Sequence, residues 1–424
     1  MIPSARPTRV RHGVIVFAIT LAVITYIDRV SISFAAPFIR KDLGLSAVQM
    51  GWAFSAFGWA YALFEIPGGF LGDWIGPRKV LTRIVLWWSL FTAATGWTRG
   101  LSSLVATRFL FGAGEAGCFP NIAKAFNSWL PASEKYRAQG ILWLSARWGG
   151  ALTPALVNLV IGNVGWRHTF ELFGCLGVVW AVLFFRWFHD SPMENPRLNA
   201  AERELLSASA KLAPGRADVP WGRIVRSRQA WLLCAQYFCH SYGFYFYMTW
   251  LPTYLREGRH VALAASAVLG ALPLFLGGIG SSAGVLLARA GARWTGSLAS
   301  GRRITAYTAF GGACGFLTLS TLALDPVYAM VMIGMASFCS DLAMPTAWSA
   351  TMDVGGRFAG TLSGAMNMCG NIGGALSPLA IGYILSGTGN NWNLTFYVSA
   401  VIYIIGLLAW MFLDPVTPIE SRAS

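Results

Sequence analysis

Charged residues stand inside several long apolar stretches of this 424-residue sequence, where a charge is costly. They are Asp28 and Arg29 in the first stretch, Arg108 and Glu115 in the fourth, Arg147 in the fifth and Asp341 in the tenth. A charge at the centre of a bilayer costs about 2.5–3.5 kcal/mol, so all of these residues facing lipid alone would cost about 15–20 kcal/mol. A typical folded protein is stable by only about 5–15 kcal/mol. We therefore expect these side chains to pair with one another or to line a wet cavity.

Arginine and carboxylate side chains held together in such a cavity have a definite chemistry. A guanidinium binds a carboxylate through two parallel hydrogen bonds, and a partly desolvated Asp or Glu titrates near neutral pH. Arg108 and Glu115 are seven residues apart and share one helix face. The set predicts an anion site coupled to proton sites. The alternative is a group of static ion pairs that join helices without a transport role, and it stays open for Arg147 and Asp341 in particular.

Uncharged polar residues in other apolar segments fit the same cavity. They are Tyr26 and Tyr61 in the first half of the chain and Gln236, His240 and Asn367 in the second. Their hydroxyl and amide groups would suit a polyhydroxylated ligand, although each residue alone could equally form a hydrogen bond between helices. No second histidine stands at metal-ligand spacing from His240, so we expect no metal site.

The composition excludes several classes of protein. Only 12% of the residues are charged and 55% are hydrophobic, whereas a soluble globular chain has about 25% charged residues. The net charge of +14 comes from basic residues between apolar segments, not along one face, which argues against a nucleic-acid partner. Neither a phosphate-binding Gly-x-x-x-x-Gly-Lys-Ser/Thr loop nor a His-Glu-x-x-His zinc motif occurs. We expect no enzyme activity and no cofactor.

Long apolar segments alternate with short polar loops along the whole chain. The segments are 14–36, 50–71, 80–98, 101–127, 138–161, 168–188, 229–255, 261–288, 303–324, 327–350, 359–386 and 394–413. Each is long enough to span about 30 Å of hydrocarbon. The pattern predicts an all-α polytopic membrane protein with twelve transmembrane helices in two pseudo-symmetric bundles. The predicted division is 1–188 for the N-terminal six-helix bundle, 189–228 for a cytoplasmic central loop and 229–424 for the C-terminal bundle.

A short internal sequence repeat supports the division into two related bundles. Residues 149–154 read Gly-Gly-Ala-Leu-Thr-Pro, and residues 373–378 read Gly-Gly-Ala-Leu-Ser-Pro, 224 positions later. Pro120 and Pro345 differ by 225 positions, which is nearly the same offset. Chance matches in a chain rich in Gly and Pro are the alternative. Two matches at one offset on either side of a central loop favour the repeat plan found in secondary transporters.

The loop charges predict an orientation. If both termini are cytoplasmic, the cytoplasmic loops and tails, together with the segment ends that adjoin them, hold 23 Lys and Arg, and the opposite side holds 6. Cytoplasmic loops carry the excess of basic residues in membrane proteins. We expect a multi-pass protein of a bacterial inner membrane with both termini in the cytoplasm.

The loop between the second and third segments carries the string Gly69, Asp73, Gly76, Arg78 and Lys79. The glycines permit a close helix approach and a tight turn. Asp73 can pair with Arg78 or cap a neighbouring helix, a contact that breaks and re-forms as the halves of the molecule move. The string therefore predicts a conformational gate.

This loop resembles the cytoplasmic-loop signature of the major facilitator superfamily. Within it, the chain resembles the anion:cation symporter family of sugar-acid and organic-anion permeases. The matching stretches are 26–29, 57–69, 108–120 and 249–255, and the resemblance covers essentially the whole chain. It implies the major facilitator fold and a proton-driven importer of a hexonate, hexuronate or aldarate. The partners of such an importer would be the anion, protons and the lipid bilayer, and the protein would function as a monomer.

The resemblance also implies roles for individual residues. Arg29 would hold the substrate carboxylate, Asp28 and Glu115 would carry protons, and Arg108 would set the charge state of Glu115. The remaining substrate-site residues would be Tyr26, Tyr61, Gln236 and Asn367.

Three charges depart from the family pattern, and other functions stay open. Arg147, Asp341 and Asp353 are not expected across the family, and they leave the substrate and the ion stoichiometry open. The alternatives are a transporter of the same fold that is coupled to sodium or carries phosphate or another solute, and a transporter-like anion sensor.

Overall fold

The computed structural model describes residues 7–210, 221–356 and 359–419, and the regular elements in those ranges are helices. The first half contains α1 (Gly13–Leu43), α2 (Ala47–Ile75), α3 (Pro77–Thr95), α4 (Leu101–Glu115), α5 (Cys118–Trp129) and α6 (Ala132–Trp187). The polar connection carries α7 (Ala200–Ala210) and α8 (Trp221–Arg226). The second half contains α9 (Arg228–Thr249), α10 (Leu251–Thr253), α11 (Leu263–Thr295), α12 (Leu298–Leu322), α13 (Pro326–Gly355), α14 (Ala359–Gly387) and α15 (Trp392–Phe412). The predicted all-α class is confirmed.

Several of these helices can cross a bilayer on length and composition alone. Among the described residues, six helical stretches do so: Val10–Leu43, Gly140–Trp187, Ala265–Thr295, Pro326–Gly355, Thr361–Gly387 and Trp392–Phe412. α6 covers two predicted segments, 138–161 and 168–188. Gly165 adopts a non-helical conformation (φ 78°, ψ 166°) between them, so α6 consists of two helices joined at a kink. With α4 and α5 taken together as the fourth segment, the helices are consistent with the predicted twelve.

The fourth predicted segment, 101–127, is not one continuous helix. α4 ends at Glu115, and α5 begins after Gly117, whose φ of 83° lies in the left-handed region that favours glycine. The cause is a close approach of α2: a Cβ atom on Gly117 would lie 2.5 Å from the carbonyl carbon of Gly68. A Cβ atom on Gly68 would lie 2.6 Å from the carbonyl oxygen of Ala116. The break makes Glu115 the C-terminal residue of α4.

Most helix contacts lie within each half of the molecule, and a smaller set joins the halves. In the first half α1 and α3 pack against α6, and α2 packs against α4; in the second, α11 and α12 pack against α13, and α9 packs against α14. Between the halves, α2 packs against α14 and α6 against α11. A Cβ atom on Gly58 of α2 would lie 2.8 Å from that of Ala375 on α14, so these two helices touch closely. The contacts are compatible with the predicted domain division, which stays a prediction.

The two copies of the internal sequence repeat, residues 149–154 and 373–378, occupy similar places in the two halves. One copy lies on α6, where a Cβ atom on Gly150 would be 3.0 Å from both Tyr26 of its own half and Leu274 of the other. The second copy lies on α14, where Gly374 meets Tyr245 of its own half and the next residue, Ala375, meets the first half. In both copies, small residues let a helix approach its own half and the opposite one. This correspondence supports the duplicated architecture.

The loop between α2 and α3 docks on the end of α6. A Cβ atom on Gly76, whose φ is 84°, would lie 2.5 Å from Oδ2 of Asp190. The backbone N–H of Arg78 donates to Oδ1 of Asp190 at 2.8 Å, and its guanidinium donates to the carbonyl oxygen of Phe185 at 2.6 Å. Arg78 is thus held at the end of α6 and by Asp190 just beyond it. The predicted pair of Arg78 with Asp73, whose side chain is outside the described part of the structure, stays a prediction. Lys79 is exposed.

Two of the predicted gate residues cannot be placed in this way. Gly69 and Asp73 lie within α2, and their surroundings are outside the described part of the structure.

Arg11, before α1, helps to join the N-terminal segment to the central loop. The guanidinium of Arg11 donates to Oε1 of Glu134, at the start of α6, at 2.8 Å and to Oε1 of Glu202, on α7, at 2.9 Å. The Arg11 hydrogen bond holds the pKa of Glu134 below its usual value. This bridge fastens α7 to the first half.

Candidate substrate and proton site

A buried ion pair joins α1 to the break between α4 and α5. Nε of Arg29 donates to Oε1 of Glu115 at 2.6 Å, and the Glu115 side chain is fully buried. A helix C-terminus carries a partial negative charge, which disfavours an anion there. Glu115 therefore depends on the guanidinium of Arg29 for its compensation. The structure brings these two predicted site residues together.

Aromatic rings surround the guanidinium of Arg29. Its central carbon lies 4.8 Å from the ring centre of Tyr61, 5.2 Å from Phe57, 5.7 Å from Tyr26 and 5.8 Å from Phe119. The faces of aromatic rings attract cations, more strongly where water is excluded. The rings of Tyr26 and Tyr61 thus lie against the guanidinium of Arg29, and their contact with a substrate stays a prediction. Nη2 of Arg29 is buried and has no hydrogen-bond partner among the described residues.

Asp28 lies beside this pair without a partner of its own. It is 2% exposed, and within the described ranges neither carboxylate oxygen has a hydrogen-bond partner. It interacts electrostatically with Glu115 and Arg108. An ionised carboxylate buried without hydrogen bonds is costly, and a bound proton removes that cost. Asp28 is therefore suited to bind and release a proton.

Arg108 is the second buried cation of the first half. It is 3% exposed, and its guanidinium carbon lies 4.5 Å from the ring centre of Phe111 and 5.4 Å from that of Phe57. Its Nε finds no acceptor in the part of the chain that the structure describes. Arg29 and Arg108 therefore each retain a buried N–H group that an anion can satisfy.

A small cavity between the halves contains both arginines. Its lining consists of Arg29, Ile32, Phe54, Phe57, Arg108, Phe244, Tyr245, Met248 and Thr249. The first half supplies both cations, and α9 of the second half supplies the hydroxyl-bearing residues Tyr245 and Thr249. A ligand here would touch both halves of the molecule at once.

Gln236 does not join this site. Its side-chain amide donates to the carbonyl oxygen of Leu233 at 3.0 Å and accepts from Nε1 of Trp410 at 3.2 Å. The residue is fully buried between α9 and α15. The structure does not bring Gln236 to this cavity, because its face of α9 points into the second half.

Glu65 is a buried acid that is not among the residues predicted from the sequence. It lies on α2, is 6% exposed, and accepts hydrogen bonds from Nδ2 of Asn367 and, at 3.2 Å, from Nδ2 of Asn371. Asn371 in turn accepts a bond from the hydroxyl of Tyr245 at 3.2 Å. The predicted residue Asn367 thus faces the first half, and its amide is already occupied. A carboxylate inside the predicted segment 50–71 was the available signal.

The two remaining intramembrane charges form a second ion pair between the halves. Nη2 of Arg147 on α6 donates to Oδ1 of Asp341 on α13 at 2.9 Å, with both side chains buried. Nε2 of His240 lies 3.5 Å from the same oxygen, and Nδ1 of His240 lies 3.0 Å from Oγ of Ser340. Asp353 is separate from this group and pairs with Arg302 at 2.6 Å.

The sequence of the chain matches the family model of the Major Facilitator Superfamily over residues 18–378. The chain belongs to this superfamily. It is therefore a transporter of the multi-pass membrane class and not an enzyme, as the sequence predicted.

Several relatives of this major facilitator chain are named as transporters of organic anions. It is 35% identical to the probable sulfoacetate transporter SauU of Cupriavidus necator, over 97% of this chain and 96% of the relative. It is 29% identical to the hexuronate transporter of Bacillus subtilis, over 89% and 88% of the two chains, and 29% identical to the probable galactarate/D-glucarate transporter GudP of Escherichia coli, over 96% and 94%. These names agree with the resemblance to the anion:cation symporters.

A solved structure shows the same fold for this superfamily member. A bacterial homologue of the human lysosomal transporter Spinster, in an inward-facing and unoccupied conformation, superposes with a TM-score of 0.75 at 17% identity. The match covers 95% of this chain and 96% of the other.

Proposed function

We propose that this protein is a proton-coupled symporter that imports a small organic anion by alternating access of its two halves. The observation that carries it is the Arg29–Glu115 ion pair beside the unpartnered Asp28, with Arg29 also lining a cavity between those halves. The site holds the two elements that such a symporter needs, a cation for the substrate and acids for the proton.

Arg29 binds the substrate's carboxylate or sulfonate. Its Nη2 is free of protein partners in the described structure, and its Nε is held by Glu115. A proton on Glu115 weakens that bond and releases a second donor, so that the guanidinium can bind an anion with both. Arg108, whose Nε also lacks an acceptor among the residues described, adds positive charge to the same cavity.

Asp28 and Glu115 carry the protons. With both acids ionised, they balance the charges of Arg29 and Arg108, and the site is neutral. Protons on both acids leave two guanidiniums that attract an anion. Once the anion binds, the buried charge is again largely compensated, and the halves can close around it at lower cost.

Sugar acids remain the proposed substrate class, as hexonates, hexuronates or aldarates. Relatives named for hexuronate and galactarate or glucarate support this class, and the relative named for sulfoacetate extends it to a small sulfonate. Tyr26, Tyr61 and Asn367 are the proposed contacts to the rest of the ligand. Gln236 is left out, because its amide faces Leu233 and Trp410 of its own half, whereas the amide of Asn367 faces the first half.

The end of α2, Gly76 and the start of α3 form the proposed conformational gate. Gly69, Asp73, Gly76, Arg78 and Lys79 would link the first half to the moving cytoplasmic surface, with Arg78 anchored on the end of α6 in the present conformation. We propose that the protein lies in a bacterial inner membrane with both termini on the cytoplasmic side, and that it functions as a monomer.

Uptake by the purified protein in liposomes tests the coupling. With sulfoacetate, D-galacturonate and D-glucarate as probes, an inward proton gradient is expected to drive accumulation of at least one of them. A protonophore should abolish this accumulation, and choline in place of sodium should leave it unchanged.

Other outcomes would assign a different function. Accumulation that requires sodium would replace proton coupling with sodium coupling, and uptake of phosphate alone would replace the organic substrate. Binding of a probe without any transport would indicate a sensor.

A further inference from the structure

A carboxylate that the anion site does not use lies between the two halves. One oxygen of Glu65 on α2 accepts from Nδ2 of Asn367, and the other accepts from Nδ2 of Asn371 at 3.2 Å. Both asparagines belong to α14 of the opposite half, so these bonds fasten the halves together in the present conformation. Glu65 is 6% exposed, and its bonds are shielded from water.

No cation lies within ion-pair distance of Glu65 among the residues that the structure describes. The charged and titratable groups that interact with it are Arg29 of α1, Tyr61 of α2, and Tyr237 and Tyr245 of α9. Glu115 of α4 and Cys118 of α5 interact with the neighbouring Tyr61. Arg29, the one cation among these groups, is already paired with Glu115. The charge of Glu65 is therefore compensated chiefly by two neutral amides.

We propose that Glu65 is a third proton-binding residue of the transport cycle, whose ionised side chain occupies the amides of Asn367 and Asn371 until a proton releases them to the anion. This inference rests on the proposed function. An ionised acceptor forms hydrogen bonds roughly twice as strong as a neutral one. The ionised Glu65 therefore competes with an incoming ligand for the two amides, and the protonated Glu65 competes weakly.

The released amides lie next to the proposed substrate cavity. Asn371 accepts a hydrogen bond from the hydroxyl of Tyr245 at 3.2 Å, and Tyr245 lines the cavity that contains Arg29. A ligand held by Arg29 can then extend toward Asn367 and Asn371. Protonation of Glu65 also weakens one contact between α2 and α14, which lowers the cost of separating the halves there.

The sign of the pH effect follows from this competition. At higher pH Glu65 is ionised, holds both amides and weakens anion binding. On acidification it is protonated, and the apparent affinity for the anion rises. Glu65→Gln resembles the protonated state at every pH, so it should remove this part of the pH dependence.

Binding titrations of the purified full-length protein test the inference, with sulfoacetate, D-galacturonate and D-glucarate as probes. The Kd of the wild type should fall on acidification. E65Q should bind the anion about tenfold more tightly than the wild type at neutral pH. This factor corresponds to the free energy of one hydrogen bond to a charged group, which the anion no longer has to displace. Its pH dependence should also correspond to about one proton fewer per anion.

Two further variants separate proton binding from a purely structural role. E65D retains a titratable carboxylate and should keep the pH dependence with a shifted midpoint. E171Q makes the same chemical change at an exposed glutamate that pairs with His168, and it should match the wild type. In infrared difference spectra on acidification, the wild type and E171Q should gain a carboxylic-acid band that E65Q partly lacks.

The outcomes distinguish this inference from the proposed function. If wild-type affinity rises on acidification but E65Q has the same Kd and the same pH dependence, or an undiminished acid band, Glu65 is not a proton-binding residue and the symporter proposal stands. If the affinity of the wild type is independent of pH for all three probes, both proposals fail.

Discussion

Asp28→Asn is expected to abolish anion uptake driven by a proton gradient, to the level of empty liposomes, while counterflow exchange of the anion continues. The amide has nearly the shape of the acid but cannot take up or release a proton. The substitution also breaks no described hydrogen bond, because neither carboxylate oxygen of Asp28 has a partner in the described structure. Proton transfer is then the property that is lost, and the anion site remains.

Paired measurements on one preparation check this result. Accumulation under an inward proton gradient and counterflow with equal pH on both sides are measured for the wild type and the variant. Asp42→Asn is the matched control on the same helix, because Asp42 forms an exposed pair with Arg167, which is worth about 1 kcal/mol or less. Acid-stimulated uptake by Asp28→Asn at the wild-type rate would reject Asp28 as a proton carrier.

Arg29→Lys is expected to lose both modes of transport. Lysine keeps the positive charge but lacks the planar pair of donors that binds a carboxylate or sulfonate with two hydrogen bonds. Loss of one such charged hydrogen bond, worth about 1.5–3 kcal/mol, weakens anion binding about tenfold to a hundredfold. Uptake and counterflow should therefore fall together, in contrast to Asp28→Asn.

A direct binding titration measures the loss at Arg29. Arg99→Lys is the control, because Arg99 is an exposed residue before α4 and the change there should leave Kd unaltered. Since the lysine can still pair with Glu115, the variant keeps the buried charges balanced and should fold. A wild-type Kd in Arg29→Lys would show that another residue binds the anion.

The charges of the candidate site could be found from the sequence because an apolar segment makes any charge conspicuous. Asp28, Arg29, Arg108 and Glu115 stand out on that ground, and the described structure pairs Arg29 with Glu115 and leaves Asp28 unpartnered. The same criterion applies to Glu65 in the apolar segment 50–71. Glu65 also belongs to the stretch 57–69 that carries the family resemblance, which accounts for the residue without reference to its charge.

Other features depend on which faces meet in three dimensions, and the sequence does not contain that information locally. Gln236 lies on a transmembrane helix, but only packing shows that its amide bonds to Leu233 and Trp410 and does not face Arg29. The break after Glu115 requires the close approach of Gly68. The docking of Arg78 on the carbonyl of Phe185 likewise joins residues more than a hundred positions apart.

Proton uptake on anion binding tests the central claim most directly. The purified protein in weakly buffered solution with a pH indicator receives sulfoacetate, D-galacturonate or D-glucarate. We expect the wild type to take up at least about one proton from the solution for each anion that binds. The Asp28→Asn variant should take up fewer protons per anion. If an anion binds to the wild type and the proton concentration does not change, the buried acids do not couple protons to the anion, and the account is wrong.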